Sequence, residues 1–175
     1  MSLIYITGPA GTGKTTVINE LKRQGHIAHD ADDELCSWYD NKMGKKVVYP
    51  EEEAIDLAQW EDDHSFNFSE ELTQKLAEDS KDKTVFVCGN ALGNDIEIAK
   101  KYFDKVICLE TDEATMVHRI LTRPNITYGK NPEVLVLLRR DFQPTLDRYR
   151  NYGATMVNSN QPVRQVAAEI LKAVG

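Results

Sequence analysis

Residues 8–16 read Gly8-Pro9-Ala10-Gly11-Thr12-Gly13-Lys14-Thr15-Thr16, and the rest of the chain is arranged around them. The run fits the pattern G-x-x-x-x-G-K-[ST]. Before it stands Leu3-Ile4-Tyr5-Ile6-Thr7, a short apolar run of strand type. After it, Val17, Ile18 and Leu21 recur at helical spacing as far as Gln24. Strand, glycine loop and helix, in that order, are the context in which this pattern cradles phosphate groups.

The residue types follow from the charge to be held. A triphosphate carries several negative charges, so the loop must surround it with donors. Gly8, Gly11 and Gly13 let the backbone curl until successive N–H groups point inward. The next helix begins at the phosphate and adds its N-terminal partial positive charge. Pro9, Ala10 and Thr12 complete the cradle. Lys14 reaches the β- and γ-phosphates, the Thr15 hydroxyl is a ligand for Mg²⁺, and Thr16 contacts the α-phosphate. The alternative is a plain glycine-rich turn between a core strand and a core helix.

With 175 residues the chain is one domain that can bury a sizeable core. Its formal net charge of -7 speaks against a nucleic-acid polymer as partner, which needs a basic face. The three cysteines, Cys36, Cys88 and Cys108, match no metal spacing; Cys88 and Cys108 fall in apolar strand-like runs and read as small buried side chains. That usage suits a reducing compartment. No cleavable leader and no apolar run of membrane-spanning length is visible, so a cytoplasmic protein with no membrane partner is expected.

Strand and helix signals alternate, which predicts an α/β fold with a parallel sheet. Strands are expected near 3–7, 26–29, 84–88, 105–109 and 154–157. Helices are expected near 14–24, 51–60, 69–79, 94–102 and 111–122, and from Asn131-Pro132 onward, where Pro144 should kink or divide the helix. Ser69, and Thr111 or Asp112, read as N-caps. A last helix carries Val163, Val166, Ala167, Ile170, Leu171 and Val174 on one stripe.

Two further groups carry chemistry. Asp30-Ala31-Asp32 ends the second strand, at the edge where ligands sit in open α/β sheets. In an extended segment, period two places Asp30 and Asp32 on one side. Asp30 can then hold Mg²⁺ through water, and Asp32 can accept a proton from an attacking hydroxyl. The alternative is a solvated acidic turn capping the next helix, a role that Asp33 and Glu34 fit as first-turn acids. The second group is Arg119, Arg123, Lys130, Arg139 and Arg140, flanking the polar loop 123–131. Phosphoryl transfer needs cations around the moving group, and a closing lid supplies them.

Together these features resemble the P-loop small-molecule kinases of the shikimate kinase and adenylate kinase type. The loop Gly8–Thr16 is common to them. Asp30-x-Asp32 is similar to the D-x-D of shikimate kinases. Gly89 stands where that family has a glycine run, although Asn90-Ala91 departs from it. Arg123-Pro124 resembles the lid Arg-Pro, Arg119 the arginine on which adenine rests, and Arg139 or Arg140 the late lid arginine. Asn158–Pro162 resembles the adenine-wrapping loop, which makes Asn160 and Pro162 candidate ATP contacts. The resemblance implies a P-loop NTPase fold: a five-stranded parallel sheet of order 2-3-1-4-5 flanked by helices. The core would be 1–34, 81–122 and 132–175, with a substrate-binding insertion at about 35–80 and a lid at about 123–131. It implies ATP and Mg²⁺ as cofactors and a small-molecule acceptor, with Lys14, Asp32 and Arg123 as catalytic residues. Asp32, Trp38, Gly89 and Asn90 would contact the acceptor.

One departure bears on that acceptor. No arginine occurs between Arg23 and Arg119, whereas this family uses arginines there for a carboxylate or a phosphate, as its bidentate fork suits. The insertion carries Trp38, Tyr39, Trp60, Glu61, Asp62 and Asp63 instead, aromatics that otherwise read as core. His64 beside them reads as a surface residue. A small uncharged or cationic acceptor is expected, a nucleoside first, then a sugar or drug-like polyol. The alternatives are a nucleoside monophosphate kinase whose Lys42, Lys45 or Lys46 hold the acceptor phosphate, and a nucleotide-dependent switch ATPase acting on a protein partner.

Overall fold

The computed structural model describes residues 2–50, 57–124 and 128–175. Its first elements are β1 (Leu3–Thr7), α1 (Lys14–Arg23), β2 (Ile27–Asp30), α2 (Ala31–Glu34), β3 (Cys36–Asp40) and β4 (Lys46–Val47). Then come α3 (Leu57–Asp63), β5 (His64–Phe68), α4 (Glu70–Asp79), β6 (Val85–Cys88) and α5 (Asp95–Tyr102). The chain continues through β7 (Lys105–Glu110), α6 (Glu113–Thr122), α7 (Pro132–Tyr152), β8 (Thr155–Asn158) and α8 (Val163–Val174).

Five strands form one parallel sheet in the order β2-β6-β1-β7-β8. With β3–β5 set aside, this is the 2-3-1-4-5 arrangement of a P-loop fold. β1 is central because it is apolar on both faces, and all five of its residues are buried. Period two divides them. Leu3 and Tyr5 pack with Val85, Val87, Ile98, Met116, Ile120, Phe142 and Tyr149, beneath α5, α6 and α7. Ile4 and Ile6 pack with Val17, Leu21, Phe86, Ile107, Val166 and Ile170, beneath α1 and α8. The apolar stripe read from α8 lies on this second face. Cys88 and Cys108 are buried free thiols, and burial raises the pKa of both.

A polar network crosses the first core. The Thr7 hydroxyl donates to the Tyr149 hydroxyl at 2.9 Å, and the Tyr149 hydroxyl donates to the Asp95 carboxylate. Arg148 donates to the same carboxylate at 2.5 Å and to the Leu92 carbonyl at 2.7 Å. Asp95 and Thr7 are 0 % exposed, so each polar atom there needs such a partner.

Four expectations change. Residues 35–68 contain an antiparallel sheet of order β4-β3-β5, with Trp38 opposite Phe66 and Cys36 opposite Phe68. Alternation in Ser65-Phe66-Asn67-Phe68 is the signal for it, and the charged residues on either side obscured that signal. Of the helix expected over 51–60, residues 51–56 lie outside the described residues, and α3 begins at Leu57. Pro144 does not divide α7, which runs unbroken from Pro132 to Tyr152. A mid-helix proline costs roughly 3 kcal/mol; burial of Phe142, Thr145, Leu146 and Tyr149 on either side of it offsets that. Finally, the chain does not stay extended through Asp32. It turns into α2 directly after Asp30, whose carboxylate caps the turn by accepting from the Asp32 N–H at 3.1 Å.

Among the expected caps, Asn131 accepts from Glu133 N–H at 2.9 Å, and Ser69 accepts from Leu72 N–H at 3.4 Å. Asp112 caps α6, accepting from Thr115 N–H at 2.8 Å and from its hydroxyl at 2.7 Å. The Thr115 hydroxyl is the chief cause that lowers the Asp112 pKa from its ordinary 3.8 to about 2. A depressed folded-state pKa stabilises the fold fully above the ordinary value, and the contribution disappears as pH falls through about 2. Melting temperatures of wild type and Asp112→Ala should therefore differ above pH 4 and converge as pH falls to 2. A difference that stays constant over that range would show that the cap does not depend on the charge.

Candidate active site

A cavity of about 1170 Å³ is lined by residues that follow the C-terminal ends of β1, β2, β6 and β8. This is the edge at which parallel strands leave backbone donors and loop side chains free for a ligand. Pro9, Ala10, Gly11, Thr12, Gly13, Lys14, Thr15 and Thr16 form one wall. Gly8 lies beneath that wall, with φ at 139°. A Cβ there would sit 2.5 Å from the Leu109 carbonyl oxygen of β7. Only glycine lets the chain leave β1 this close to its neighbour.

The Lys14 ammonium donates to the carbonyls of Gly8 at 2.7 Å and Pro9 at 3.1 Å. Burial lowers its pKa, and the carboxylate of Asp32 acts in the opposite direction. Thr12 is buried and donates to the Pro9 carbonyl at 2.8 Å, which stiffens the loop. α1 starts at Lys14 with no side-chain cap, so its first N–H groups face the loop.

Asp32 lines the cavity from α2, and its Oδ1 accepts from the Asn90 N–H at 3.1 Å. Asp30 does not line it; the capping geometry turns its carboxylate back onto α2, and burial raises its pKa. Gly89 also stands off the cavity. A Cβ on it would come within 2.7 Å of Asp32 Oδ1, so the glycine makes room for Asp32 rather than facing a ligand. Asn90 and Trp38 line the cavity.

Arg119 and Arg123 line it from α6 and the residue after it. Arg119 donates to the Ser159 carbonyl at 2.8 Å, which ties α6 to the loop after β8. In that loop Ser159 and Gln161 face the cavity, whereas Asn160 turns away and donates to Asp112 at 3.1 Å. Pro162 precedes α8 and does not line the cavity. Arg123 donates to the Tyr128 carbonyl, and burial lowers its pKa. Lys130 donates to the Arg123 carbonyl at 2.7 Å. Arg139 pairs with Glu113 and Arg140 with Asp141; both arginines are exposed and neither lines the cavity, although Asp141 does. Of the polar loop 123–131, residues 125–127 lie outside the described residues.

On the far wall, Trp38 and Glu61 belong to the aromatic and acidic group that the sequence offers for the acceptor, and the other residues it does not single out as ligands. Tyr49, Glu61, His64, Phe66, Tyr128 and Asp141 join Trp38 there. His64 is not a surface residue: its side chain is 13 % exposed and stacks on Trp60 at 4.0 Å. Tyr128 and Asp141 carry no motif; the packing of α7 against α3 brings Asp141 in, and Tyr128, just before α7, meets Tyr49 and Glu61. Lys42, Lys45 and Lys46 do not line the cavity.

Two polar atoms at the wall, Asn90 Oδ1 and Arg123 Nε, are buried without a hydrogen-bond partner among the described residues. One is an acceptor beside Asp32; the other is a cationic donor. Among the described residues no group of three or more His, Cys, Asp or Glu could hold a metal alone. The hydroxyl of Thr15 and the carboxylate of Asp32, with phosphate oxygens, are the kind of oxygen set that Mg²⁺ takes.

A family profile described as an AAA domain matches residues 4–135. Among curated proteins no relative matches the sequence. Among solved structures, shikimate kinase from Acinetobacter baumannii in complex with shikimate is similar at a TM-score of 0.60 and 24% identity, over 99% of this chain and 93% of that one. A gluconokinase from Sinorhizobium meliloti 1021 is similar at 0.57 and 16% identity, over 98% and 90%. Deoxyadenosine kinase from M.mycoides with bound dATP is similar at 0.54 and 15% identity, over 98% of both chains.

The geometry at Gly8 is open to a direct check. Gly8→Ala should lower the unfolding free energy by about 3 kcal/mol, since strain and a backbone clash act together. Gly25→Ala is the control, because Gly25 has a φ of 88° but nothing within 4 Å of the position its new methyl would take. It should lose only about 1 kcal/mol. Urea unfolding of both variants measures the difference, and equal losses would mean that Leu109 yields.

Proposed function

The chain belongs to the AAA-domain family, and on that premise we propose that it is an ATP- and Mg²⁺-dependent phosphotransferase that moves the γ-phosphate to a hydroxyl of a small molecule. One observation carries the reading. A single cavity joins the phosphate loop, with Lys14 and Thr15, to the carboxylate of Asp32, whose charge acts on Lys14, and Arg119 and Arg123 also line it. Likeness in fold to shikimate kinase, gluconokinase and deoxyadenosine kinase supports it. A nucleoside is the favoured acceptor.

The chemistry follows from the positions of the charges. Asp32 accepts the proton of the acceptor hydroxyl, the freed oxygen attacks the γ-phosphorus, and the bond from that phosphorus to the β–γ bridging oxygen breaks, so that ADP leaves. Asp32 is held for this by the Asn90 N–H. Lys14 and the loop N–H groups hold the phosphate oxygens. Arg123, whose Nε has no partner among the described residues, meets charge on the group in transfer. The Thr15 hydroxyl would hold Mg²⁺ at the loop, where the ion would supply neutralisation of phosphate charge. Arg119, fixed to Ser159 and 3.9 Å from the position of a Cβ on Gly13, offers its guanidinium plane to the adenine.

An acceptor phosphate finds no support on the far wall. Of the described cations of the cavity, Lys14 and Arg119 lie at the phosphate loop, and Arg123 is bonded to the Tyr128 carbonyl. An anion buried on the other side without a partner costs several kcal/mol.

ATP consumption should rise with an acceptor present and stay near background without one; turnover on ATP alone would favour a switch ATPase. Lys14→Ala should abolish transfer with the fold intact by circular dichroism. Asp32→Asn should lower the acceptor-dependent kcat about a hundredfold with ATP binding little changed. Arg123→Ala should depress kcat by roughly a thousandfold, and Arg119→Ala should mainly raise the KM for ATP. Steady-state kinetics decides; small equal effects of the two arginine variants would remove both from the site.

A further inference from the structure

The far wall of the cavity has a chemistry of its own. Trp38, Tyr49, Phe66 and Tyr128 present aromatic rings to it, with Glu61 among them. The ring centroids of Trp38 lie 5.3 Å from Tyr49 and 5.2 Å from Phe66. Tyr49 and Tyr128 lie 6.1 Å apart, edge to face. Trp60 packs behind, 5.0 Å from both Trp38 and Tyr49. The rings therefore form a continuous wall rather than separate side chains.

Glu61 stands in this wall as a partly buried carboxylate. Its Oε1 accepts from the Tyr49 hydroxyl at 2.9 Å and from the Tyr128 hydroxyl at 3.4 Å. Both donors are neutral. Among the described residues no Lys, Arg or His forms an ion pair with it. Arg140, whose charge feels Glu61, is itself committed to Asp141 through two bonds of 2.7 and 3.0 Å. The other charges that act on Glu61, Asp141 and Asp62, are negative, and with burial they raise its pKa. A carboxylate drawn from water without a cation is a strained arrangement, since buried charges are ordinarily paired. A ligand cation would complete it. The faces of Trp and Tyr attract the same kind of group, because their quadrupole is negative toward an ammonium.

The walls thus differ in sign. Lys14 and Arg119 stand at the phosphate loop and Arg123 is held at the Tyr128 carbonyl, whereas Glu61 and Asp141 with the aromatic rings line the other wall. We infer that the acceptor is a small alcohol bearing a protonated amine, with its hydroxyl at Asp32 and Asn90 and its ammonium seated between Glu61 and the rings of Trp38, Tyr49 and Tyr128. This rests on the phosphotransferase reading above and narrows its acceptor. Glu61 is the specificity-determining residue of the site. The phosphate never reaches it, and it takes no part in the proton transfer.

The test uses matched alcohols with and without an ammonium group: glucosamine against glucose, and 2-aminoethanol against ethylene glycol. An aminoglycoside, kanamycin, and a nucleoside, adenosine, are added. ATP consumption gives kcat/KM for each, and calorimetry in the presence of a non-hydrolysable ATP analogue gives binding. In the wild type the amine of each pair should be favoured by about tenfold or more, and Glu61→Gln should remove most of that preference. Wild-type preferences need no variant, so they stand if Glu61→Gln folds poorly. Preference for the neutral members or for adenosine, an unchanged preference in Glu61→Gln, or no binding by any amine would each overturn the inference. Amines that bind in a Glu61-dependent way without stimulating ATP consumption would keep the subsite and overturn the phosphotransferase reading instead.

Discussion

A single buried carboxylate ties α5 and α7 to the end of β1 on one face of the sheet. Asp95 has no exposed surface, yet it begins α5 and faces the interior beneath the sheet. It is stabilised by Arg148 and Tyr149, adjacent residues on α7, and Tyr149 in turn receives the Thr7 hydroxyl at the end of β1. Burying a carboxylate costs several kcal/mol unless each oxygen is satisfied. The network therefore admits few alternatives. It fixes α7 against β1 at the residue immediately before the phosphate loop, and through the Leu92 carbonyl it fixes the chain after β6. Leu92 and Gly93 line the cavity, so the same charge that orders the core also sets the shape of the site.

The cavity owes its segregated charge to where each element begins and ends. The phosphate loop and α1 present backbone N–H groups and Lys14, because a helix start leaves donors free. α6 brings Arg119 in its last turn, where a cation also suits the helix C-terminus. The acids come from elsewhere: Asp32 from the turn α2, Glu61 from α3, Asp141 from α7. α7 reaches that wall only because it runs unbroken past Pro144, which keeps Asp141 and Phe142 in one helix with Arg148 and Tyr149. The loop side of the cavity and its far wall are thereby built from different parts of the chain.

Contiguous and periodic features are legible in the sequence alone. The run Gly8–Thr16 carries its chemistry in consecutive residues, so spacing is enough to find it, and its flanks identify a strand and a helix. The strands β1, β6 and β7 are unbroken apolar runs, and a strand that is apolar on both faces belongs inside a parallel sheet. The caps Ser69, Asp112 and Asn131 are local too, since each bonds an N–H two or three residues on.

What the tertiary structure decided has no such local trace. Asp30 and Asp32 are separated in role by a single turn of helix, which spends Asp30 on a cap and points Asp32 at the cavity. That turn depends on Leu35 and Ala31 being buried against the core, a contact with residues far along the chain. Gly89 is a glycine because Asp32 crosses it, and Asn160 is turned outward because Asp112 and Arg119 hold the two sides of its loop. Glu61, Tyr128 and Asp141 lie as much as 80 positions apart and meet only when α7 packs against α3. Sequence spacing encodes chemistry that one element can hold; a site assembled across elements is defined by packing, and packing is settled by the whole chain at once.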